Sequence, residues 1–145
     1  MRSARGAFEK EGQGMPELGE TDSPFAADVG ITVTESSPEG AMAILDVTER
    51  HSNSHGTVHG GAIFSLADQA FGAAENAEGR AFVAMEMHIR YLRPAMPGQR
   101  LTARCRRLHQ GRNTAFYEIE IRDECGRLVA FATGTGHAAG EPKKG

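Results

Sequence analysis

Hydrophobic residues along the chain follow two different periods, and these periods predict the order of the secondary-structure elements. Residues 61–76 contain almost no polar position, which indicates a buried helix. Apolar and polar residues alternate over residues 82–91, which is the period of a half-buried strand. Further strands are predicted over the runs 30–36, 41–48, 99–109, 114–122 and 127–136.

Turn and cap residues indicate how these elements are joined. Ser23 followed by Pro24 predicts an N-cap and the first position of a short helical turn. The segment 37–40, Ser-Pro-Glu-Gly, predicts a hairpin between the first two strands. The later loops are short, so the last four strands are predicted to form an antiparallel meander. The expected fold class is α+β, with a curved antiparallel sheet wrapped around one central helix.

Length and composition predict one domain with flexible ends. The chain has 145 residues, close to the usual size of a single domain. Residues 23–139 are assigned to that domain, and the polar segments 1–22 and 140–145 are expected to be flexible tails. Eighteen glycines, many alanines and no tryptophan indicate a core of small side chains, which burial in an oligomer would help.

Charge, cysteine content and hydropathy exclude several classes of protein. A formal net charge of −3 argues against a nucleic-acid binder. Cys105 and Cys125 are too few for a disulfide scaffold, and neither lies in a CxxC motif or in the paired spacing that zinc requires, so both are predicted to be free thiols. No apolar run suits a leader or a membrane span. We therefore expect no membrane partner and a cytoplasmic location.

Asp68 is the most informative residue, because it lies in the middle of the apolar helix. A buried carboxylate without a partner is costly, so Asp68 has either a structural partner or a chemical role. Ser65 and Gly72 stand three residues before and four residues after it, which leaves room for a ligand beside the carboxylate. This pattern favours the chemical role.

A glycine-rich loop, residues 53–61, leads directly into the same helix. It places the backbone N–H groups of Gly60 and Gly61 at the positive end of the helix dipole, which suits an anion or an oxyanion. The alternative is that the glycines only permit a tight junction between loop and helix. His59 is expected to fix the loop that presents Gly60.

Three histidines, His51, His55 and His59, recur every four residues, a spacing that aligns metal ligands on a helix. The residues between them are poor helix formers, so each histidine is interpreted as a hydrogen-bonding loop residue. No metal is predicted.

Seven arginines fall within residues 90–112, a segment that contains no acidic residue. Guanidinium groups bind phosphates, although charges on a solvated sheet edge are an alternative explanation for most of them. The set comprises Arg90, Arg93, Arg100, Arg104, Arg106, Arg107 and Arg112. Together with Asp68 and the glycine-rich loop, two or three of these side chains suit a phosphate-tagged acyl substrate such as an acyl-CoA.

The stretch NSHGTVHGGAIFSLADQAF, followed by YLRP and HQGRNTAFYEIEI, resembles the hotdog-fold thioesterases, and most closely their phenylacetyl-CoA thioesterase branch. The resemblance covers about residues 24–138. It implies the hotdog fold, Asp68 as catalytic carboxylate, Gly60 as oxyanion-hole amide and Asn53 as the amide that holds the thioester or its water. Gly72 departs from the hydroxyl residue of some aryl-CoA members. Substrate binding is assigned to His59, Gly61, Ser65, Arg93 and Arg112.

The expected reaction is hydrolysis of an aryl-acetyl or related aromatic or medium-chain acyl-CoA to the free acid and CoA, without a cofactor. Asp68 would act as general base on water or as nucleophile. Phe64, Met85 and Met87 would form an apolar cradle for the acyl group. The alternatives are a non-catalytic acyl-CoA binding module on the same fold, and hydration of an enoyl thioester by His59 and Asp68.

Helix length predicts that the site is shared between two chains. Gly60 and Asp68 are eight residues apart, which is roughly 12 Å along a helix axis. One carbonyl carbon cannot lie within reach of both groups on one helix. A homodimer is therefore predicted, in which Asn53 and Gly60 come from one subunit and Asp68 from the other. The family resemblance implies the same, with further pairing into a homotetramer.

Overall fold

The structure is a computed structural model, and it describes residues 23–77 and 79–140. The predicted tails 1–22 and 140–145 lie outside the described residues, apart from Gly140. The elements are α1 (Pro24–Val29), β1 (Ile31–Ser37), β2 (Gly40–Asp46), a 3-10 turn (Glu49–His51), α2 (Gly60–Glu75), β3 (Phe82–Tyr91), β4 (Arg100–Gln110), β5 (Thr114–Arg122) and β6 (Leu128–Ala138). Every predicted element is confirmed, and none of the described helices is both long and apolar enough to cross a membrane.

The short helix α1 forms where the cap residues predict it. The hydroxyl of Ser23 accepts a hydrogen bond of 3.0 Å from the N–H of Ala26, and Pro24 occupies the first helical position. The helix ends at Gly30, whose φ of 92° is in the left-handed region that favours glycine. α1 therefore leads directly into β1.

All six strands form one antiparallel sheet in the order β1-β2-β4-β5-β6-β3. The predicted four-strand meander is wrong, because β3 pairs with β6 and β4 pairs with β2. The segment 92–99 makes this crossing possible. β4 lies three strand spacings from β3, roughly 14 Å, and eight extended residues reach roughly 26 Å. β3 is consequently an edge strand.

The helix α2 packs against the sheet, and small side chains allow the two layers to approach closely. Alanine supplies half of the buried apolar residues in the described chain, so the expectation of a small-residue core is confirmed. Phe71 of α2 packs edge-on against Tyr117, with ring centroids 5.4 Å apart. A Cβ at Gly134 would stand 3.2 Å from the Phe71 ring. Both cysteines are free, as predicted, Cys105 being buried and Cys125 exposed.

A β-bulge in β3 changes which side chains face the helix. The pairing with β6 shifts between Ala84 and Glu86, so that Phe82 packs against the core before the bulge, while Val83 is 53% and Met85 65% exposed. The alternation of residues 82–91 predicts that Val83 and Met85 lie on the same face as Met87. This prediction is wrong for Val83 and Met85. An extra residue exchanges the two faces of a strand. The result is an edge strand that exposes large apolar side chains.

Candidate active site

The loop that precedes α2 is built around the side chain of Asn53. Its Oδ1 accepts the N–H groups of His55 and Thr57 at 2.9 and 3.2 Å, and its Nδ2 donates to Thr57 Oγ1 at 2.8 Å. The backbone of Asn53 also pairs with Thr57. Asn53 therefore organises the turn, and of its two amide hydrogens one is left after the bond to Thr57.

The first turn of α2 leaves one backbone N–H without an acceptor. His59 is the N-cap, and its Nδ1 accepts the N–H of Gly61 at 2.8 Å. The carbonyl of His59 accepts from Ala62 at 3.0 Å and from Ile63 at 3.3 Å. Within the described residues the N–H of Gly60 has no hydrogen-bond partner. The prediction of two unpaired donors is wrong for Gly61, because the side chain of His59 caps it.

The three periodic histidines do not converge. The Nε2 atom of His51 lies 2.6 Å from the carbonyl oxygen of Val29, and its Nδ1 atom accepts a hydrogen bond of 2.9 Å from the N–H of Thr48. His59 caps α2, and His55 is exposed in the loop. Among residues 23–77 and 79–140, no group of three His, Cys, Asp or Glu side chains is placed to hold a metal ion.

A groove of about 460 Å³ opens beside the start of α2. His59, Gly61 and Ser65, three of the predicted substrate-binding residues, line it, and α1 contributes Phe25 and Val29 as apolar wall. Its volume lies within the roughly 300–1,000 Å³ of small-molecule sites. The Ser65 hydroxyl donates to the carbonyl of Gly61 at 2.7 Å, so its lone pairs remain available as acceptors. The predicted cradle of Phe64, Met85 and Met87 does not line this groove.

Asp68 is exposed in the single chain, in contrast to the expectation of a helix buried all round. The reason is that one face of α2, which includes Gly61 and Phe64, is not covered by the sheet. Protein atoms crowded around the carboxyl raise the pKa of Asp68 above its usual value by desolvation. Open space surrounds the position where a Cβ at Gly72, one turn later, would stand. Asp68 thus borders an open face of the helix.

A second carboxylate, Glu75, lies two turns beyond Asp68, and sequence reasoning missed it. Its side chain is buried, and Oε2 has no hydrogen-bond partner in the described chain. A Cβ at Gly136 would overlap that oxygen, so a larger residue there would displace the Glu75 carboxyl. Burial and the nearby Asp68 charge raise the pKa of Glu75 to about 8. The sequence signal was an acidic residue that continues the apolar helix pattern at position 75.

Tyr91, the last residue of β3, touches the first residue of α2. Its hydroxyl donates to the carbonyl of Gly60 at 3.0 Å. Sequence reasoning placed Tyr91 in the alternation of residues 82–91 and in the YLRP motif, and gave it no role. The only available signal was its place on the same face as Met87 and Ile89, which points towards the helix.

The arginines are dispersed, and several are already paired. Arg100 forms an ion pair with Asp46, and Arg106 forms one with Glu118. Arg93 and Arg112 are exposed and have no ion pair among the described residues. They lie at opposite ends of β3: the carbonyl of Arg112 binds Arg80, close before β3, whereas Arg93 follows Tyr91. Nine residues of strand separate the two ends by roughly 30 Å, so both cannot bind one diphosphate within a single chain.

The six-stranded antiparallel sheet packs on one helix, which has a free N–H at its start and a carboxylate on its open face. These are the parts required for acyl transfer from a thioester or ester. Over residues 55–130 the chain matches the family described as the Thioesterase superfamily. The chain belongs to this family, and it has the hotdog fold.

Two relatives and one further structure illustrate the similarity. A putative esterase of Deinococcus radiodurans is 43% identical over 112 residues, which are 77% of this chain and 76% of the relative. The acyl-coenzyme A thioesterase PaaI of Escherichia coli is 39% identical over 115 residues, 79% of this chain and 82% of the relative. Its structure, described as from the phenylacetic acid degradation operon, has a TM-score of 0.79 at 38% identity and covers 82% and 86% of the two chains. A Streptococcus mutans protein solved with acetyl-CoA bound has a TM-score of 0.73 at 27% identity, covering 78% of this chain and 91% of its own. The protein is accordingly a thioesterase or esterase of this family.

Proposed function

We propose that the protein hydrolyses aryl-acetyl or related aromatic and medium-chain acyl-CoA thioesters to the free acid and CoA. The observation that carries this proposal is the free N–H of Gly60 at the start of α2, beside a groove with an apolar wall. The similarity to the PaaI thioesterase of E. coli supports an aryl-acetyl substrate and a role in phenylacetate degradation. A cytoplasmic location suits a protein with two unpaired cysteines.

We propose further that each site is shared between two subunits. Gly60 and Asp68 both belong to α2, and eight residues of helix separate them by roughly 12 Å. The edge strand β3 exposes Val83 and Met85, and an exposed apolar edge is a surface for pairing with a second chain. A two-fold homodimer along this edge would bury these side chains and the open face of α2. Two such dimers are proposed to form a homotetramer.

In the proposed mechanism, the thioester oxygen accepts a hydrogen bond from Gly60 N–H, and the helix dipole adds to the stabilisation of the oxyanion. Asp68 of the partner subunit acts in one of two ways. As general base it takes a proton from water, the water oxygen attacks the carbonyl carbon, and the C–S bond breaks with the proton passing to the CoA sulfur. As nucleophile it attacks the carbonyl carbon and the C–S bond breaks, which releases the CoA thiolate and leaves an anhydride; water then hydrolyses the anhydride and supplies the proton that the thiolate takes up. Asn53 holds the loop and offers its remaining amide hydrogen to the thioester or to the water.

We assign the CoA phosphates to Arg93 and Arg112, one from each subunit. Arg93 of one chain and Arg112 of the other come together if the β3 edges pair antiparallel, because each lies at the opposite end of its strand. Arg100 and Arg106 are excluded from this role by their ion pairs with Asp46 and Glu118.

A salt series tests the arginines. Because exposed ion pairs are screened, we expect KM for an acyl-CoA to rise with ionic strength, while KM for the acyl-pantetheine that lacks the nucleotide stays constant. Removal of Arg112 by Arg112→Ala should raise KM for the CoA ester and flatten this salt dependence. Arg104→Ala, which removes another exposed arginine, is the matched control. Equal KM for both thioesters at low salt would mean that these arginines are solvated charges at a sheet edge and do not bind the nucleotide.

Thiol release from phenylacetyl-CoA, benzoyl-CoA and octanoyl-CoA tests the function itself. We expect turnover of all three, with the highest kcat/KM for phenylacetyl-CoA. If phenylacetyl-CoA binds but none of the three esters releases thiol, the protein is a non-catalytic acyl-CoA binding module. The carboxylate of Asp68 beside the open face of α2 favours the enzyme, since a binding module has no need of a base or nucleophile there.

A further inference from the structure

The phenol of Tyr91 lies directly on the residue that presents the free N–H. Its hydroxyl is 3.0 Å from the carbonyl of Gly60, and a Cβ at Gly60 would stand 3.2 Å from Cζ and 3.3 Å from the hydroxyl oxygen. The ring therefore lies in tight contact with the position of a side chain at residue 60. Glycine fits there, whereas even a methyl group would require the Tyr91 ring to shift by a few tenths of an ångström.

The peptide unit between Gly60 and Gly61 is held at both ends. Its carbonyl accepts from the Tyr91 hydroxyl, and its N–H donates to His59 Nδ1 at 2.8 Å. The preceding peptide unit is held through the carbonyl of His59, which accepts from Ala62 and Ile63. The other polar group of that preceding peptide unit is the N–H of Gly60. Because both planes that flank Gly60 are fixed, the direction of this N–H is fixed as well.

The bond from Tyr91 is additional to the hydrogen bonds of the helix. The carbonyl of residue 60 in a regular helix already accepts from the N–H four residues later. Tyr91 is 50% exposed and does not belong to the buried core. Burial of the hydroxyl nonetheless raises the pKa of Tyr91 above its usual value, so the phenol remains a donor at neutral and mildly alkaline pH. Neither folding of the core nor formation of α2 depends on this hydroxyl.

We propose that Tyr91 is a positioning residue for thioester hydrolysis: it fixes the peptide unit between Gly60 and Gly61, and with it the orientation of Gly60, so that the N–H of Gly60 points at the substrate carbonyl. The inference rests on the proposed function, since it needs an oxyanion at Gly60. Tyr91 itself contacts no reacting atom. Its effect is to keep the donor in place before the charge develops, which is where preorganised donors lower the barrier.

Steady-state kinetics of Tyr91→Phe with phenylacetyl-CoA provide the first test. Loss of one neutral hydrogen bond corresponds to roughly a 3- to 10-fold fall in kcat. KM should be unchanged, since the interaction lost is made to the enzyme and not to the substrate. Thr34→Val is the matched control, because the Thr34 hydroxyl also donates to a backbone carbonyl, at 3.4 Å, but on β1 at the opposite edge of the sheet. Both variants should keep the thermal midpoint of the wild type.

A double-mutant cycle separates positioning from a general structural effect. Gly60→Ala should reduce kcat about as much as Tyr91→Phe when Tyr91 is present, because the new methyl group shifts the ring and weakens its hydrogen bond to the residue 60 carbonyl. In a Tyr91→Ala background the same change should cost several-fold less. Three results would each overturn the role of Tyr91 while the thioesterase function stands. They are full kcat in Tyr91→Phe, a raised KM at constant kcat in that variant, and additive effects in the cycle. Absence of thiol release from the wild-type protein would overturn the function, and the role of Tyr91 with it.

Discussion

Replacement of Asp68 by asparagine is expected to lower kcat at least ~100-fold, the range of general-base catalysis. Asparagine keeps the shape and one oxygen but has neither the charge nor the basicity, whether the carboxylate acts as base or as nucleophile. Because the shape of the side chain is kept, the substitution should leave the thermal midpoint nearly unchanged. The measurement is thiol release under saturating substrate.

The pH profile of kcat/KM for the wild-type enzyme should show the titration of Asp68. Because desolvation raises the pKa of Asp68, kcat/KM should fall at a pH above the usual range of a carboxyl as the solution is acidified. The reactive form is the carboxylate, so activity is present above this pKa and lost below it. Glu35→Gln is the control, because it removes an exposed carboxylate on β1, at the edge of the sheet opposite β3. Wild-type kcat in Asp68→Asn would exclude Asp68 from the chemistry.

Replacement of Glu75 by glutamine is expected to remove most of the pH dependence of stability between about pH 5 and 8. In the unfolded chain Glu75 loses its proton near its ordinary pKa of 4.5, while burial keeps it protonated in the folded chain up to a pKa of about 8. Between these values the unfolded chain binds fewer protons, so the free energy of unfolding falls as pH rises. At about 1.4 kcal/mol per pH unit, the loss in the free energy of unfolding over this range has an upper limit of roughly 4–5 kcal/mol.

Urea unfolding at several pH values tests this. Glutamine has nearly the same volume as glutamate and cannot ionise, so the variant should be more stable than the wild type at pH 8 and show a flatter profile. Glu75→Met, which also removes the unpaired polar oxygen, should show the same flat profile. Glu35→Gln on the exposed face of β1 should keep the profile of the wild type. An unchanged slope in both Glu75 variants would mean that the folded chain holds this carboxylate in its charged form.

The sequence was sufficient for the elements and for the identity of the residues around α2. Periodicity located α2 and the strands because each buries one face, and the cap at Ser23 and the turn at Pro38 are set by local chemistry. The path from β3 to β4 was not predictable in this way. Which strands pair across a long connection depends on how the whole sheet closes over the helix, and short-range patterns do not contain that information.

The fine structure of the site also depends on tertiary contacts. The bulge at Met85 exchanged the faces of β3, and nothing in the alternation of residues 82–91 reveals an extra residue. The capping of Gly61 by His59 decided which of two adjacent glycines keeps a free N–H. Glu75 became notable only when its burial beneath Gly136 was visible. The sequence predicted candidate residues for the chemistry, and the structure was needed to see their hydrogen bonds.

Subunit complementation tests the central claim, a site shared between two chains, most directly. Asn53→Ala disrupts the loop that presents Gly60, because three hydrogen bonds of its side chain are lost, and Asp68→Ala removes the carboxylate. Each variant alone should be inactive. A heterodimer of the two, confirmed by native mass, has one intact site and one doubly damaged site, so it should regain about half of the wild-type activity per dimer. Confirmed heterodimers without any recovered activity would show that both residues act within one chain, and would contradict the shared site.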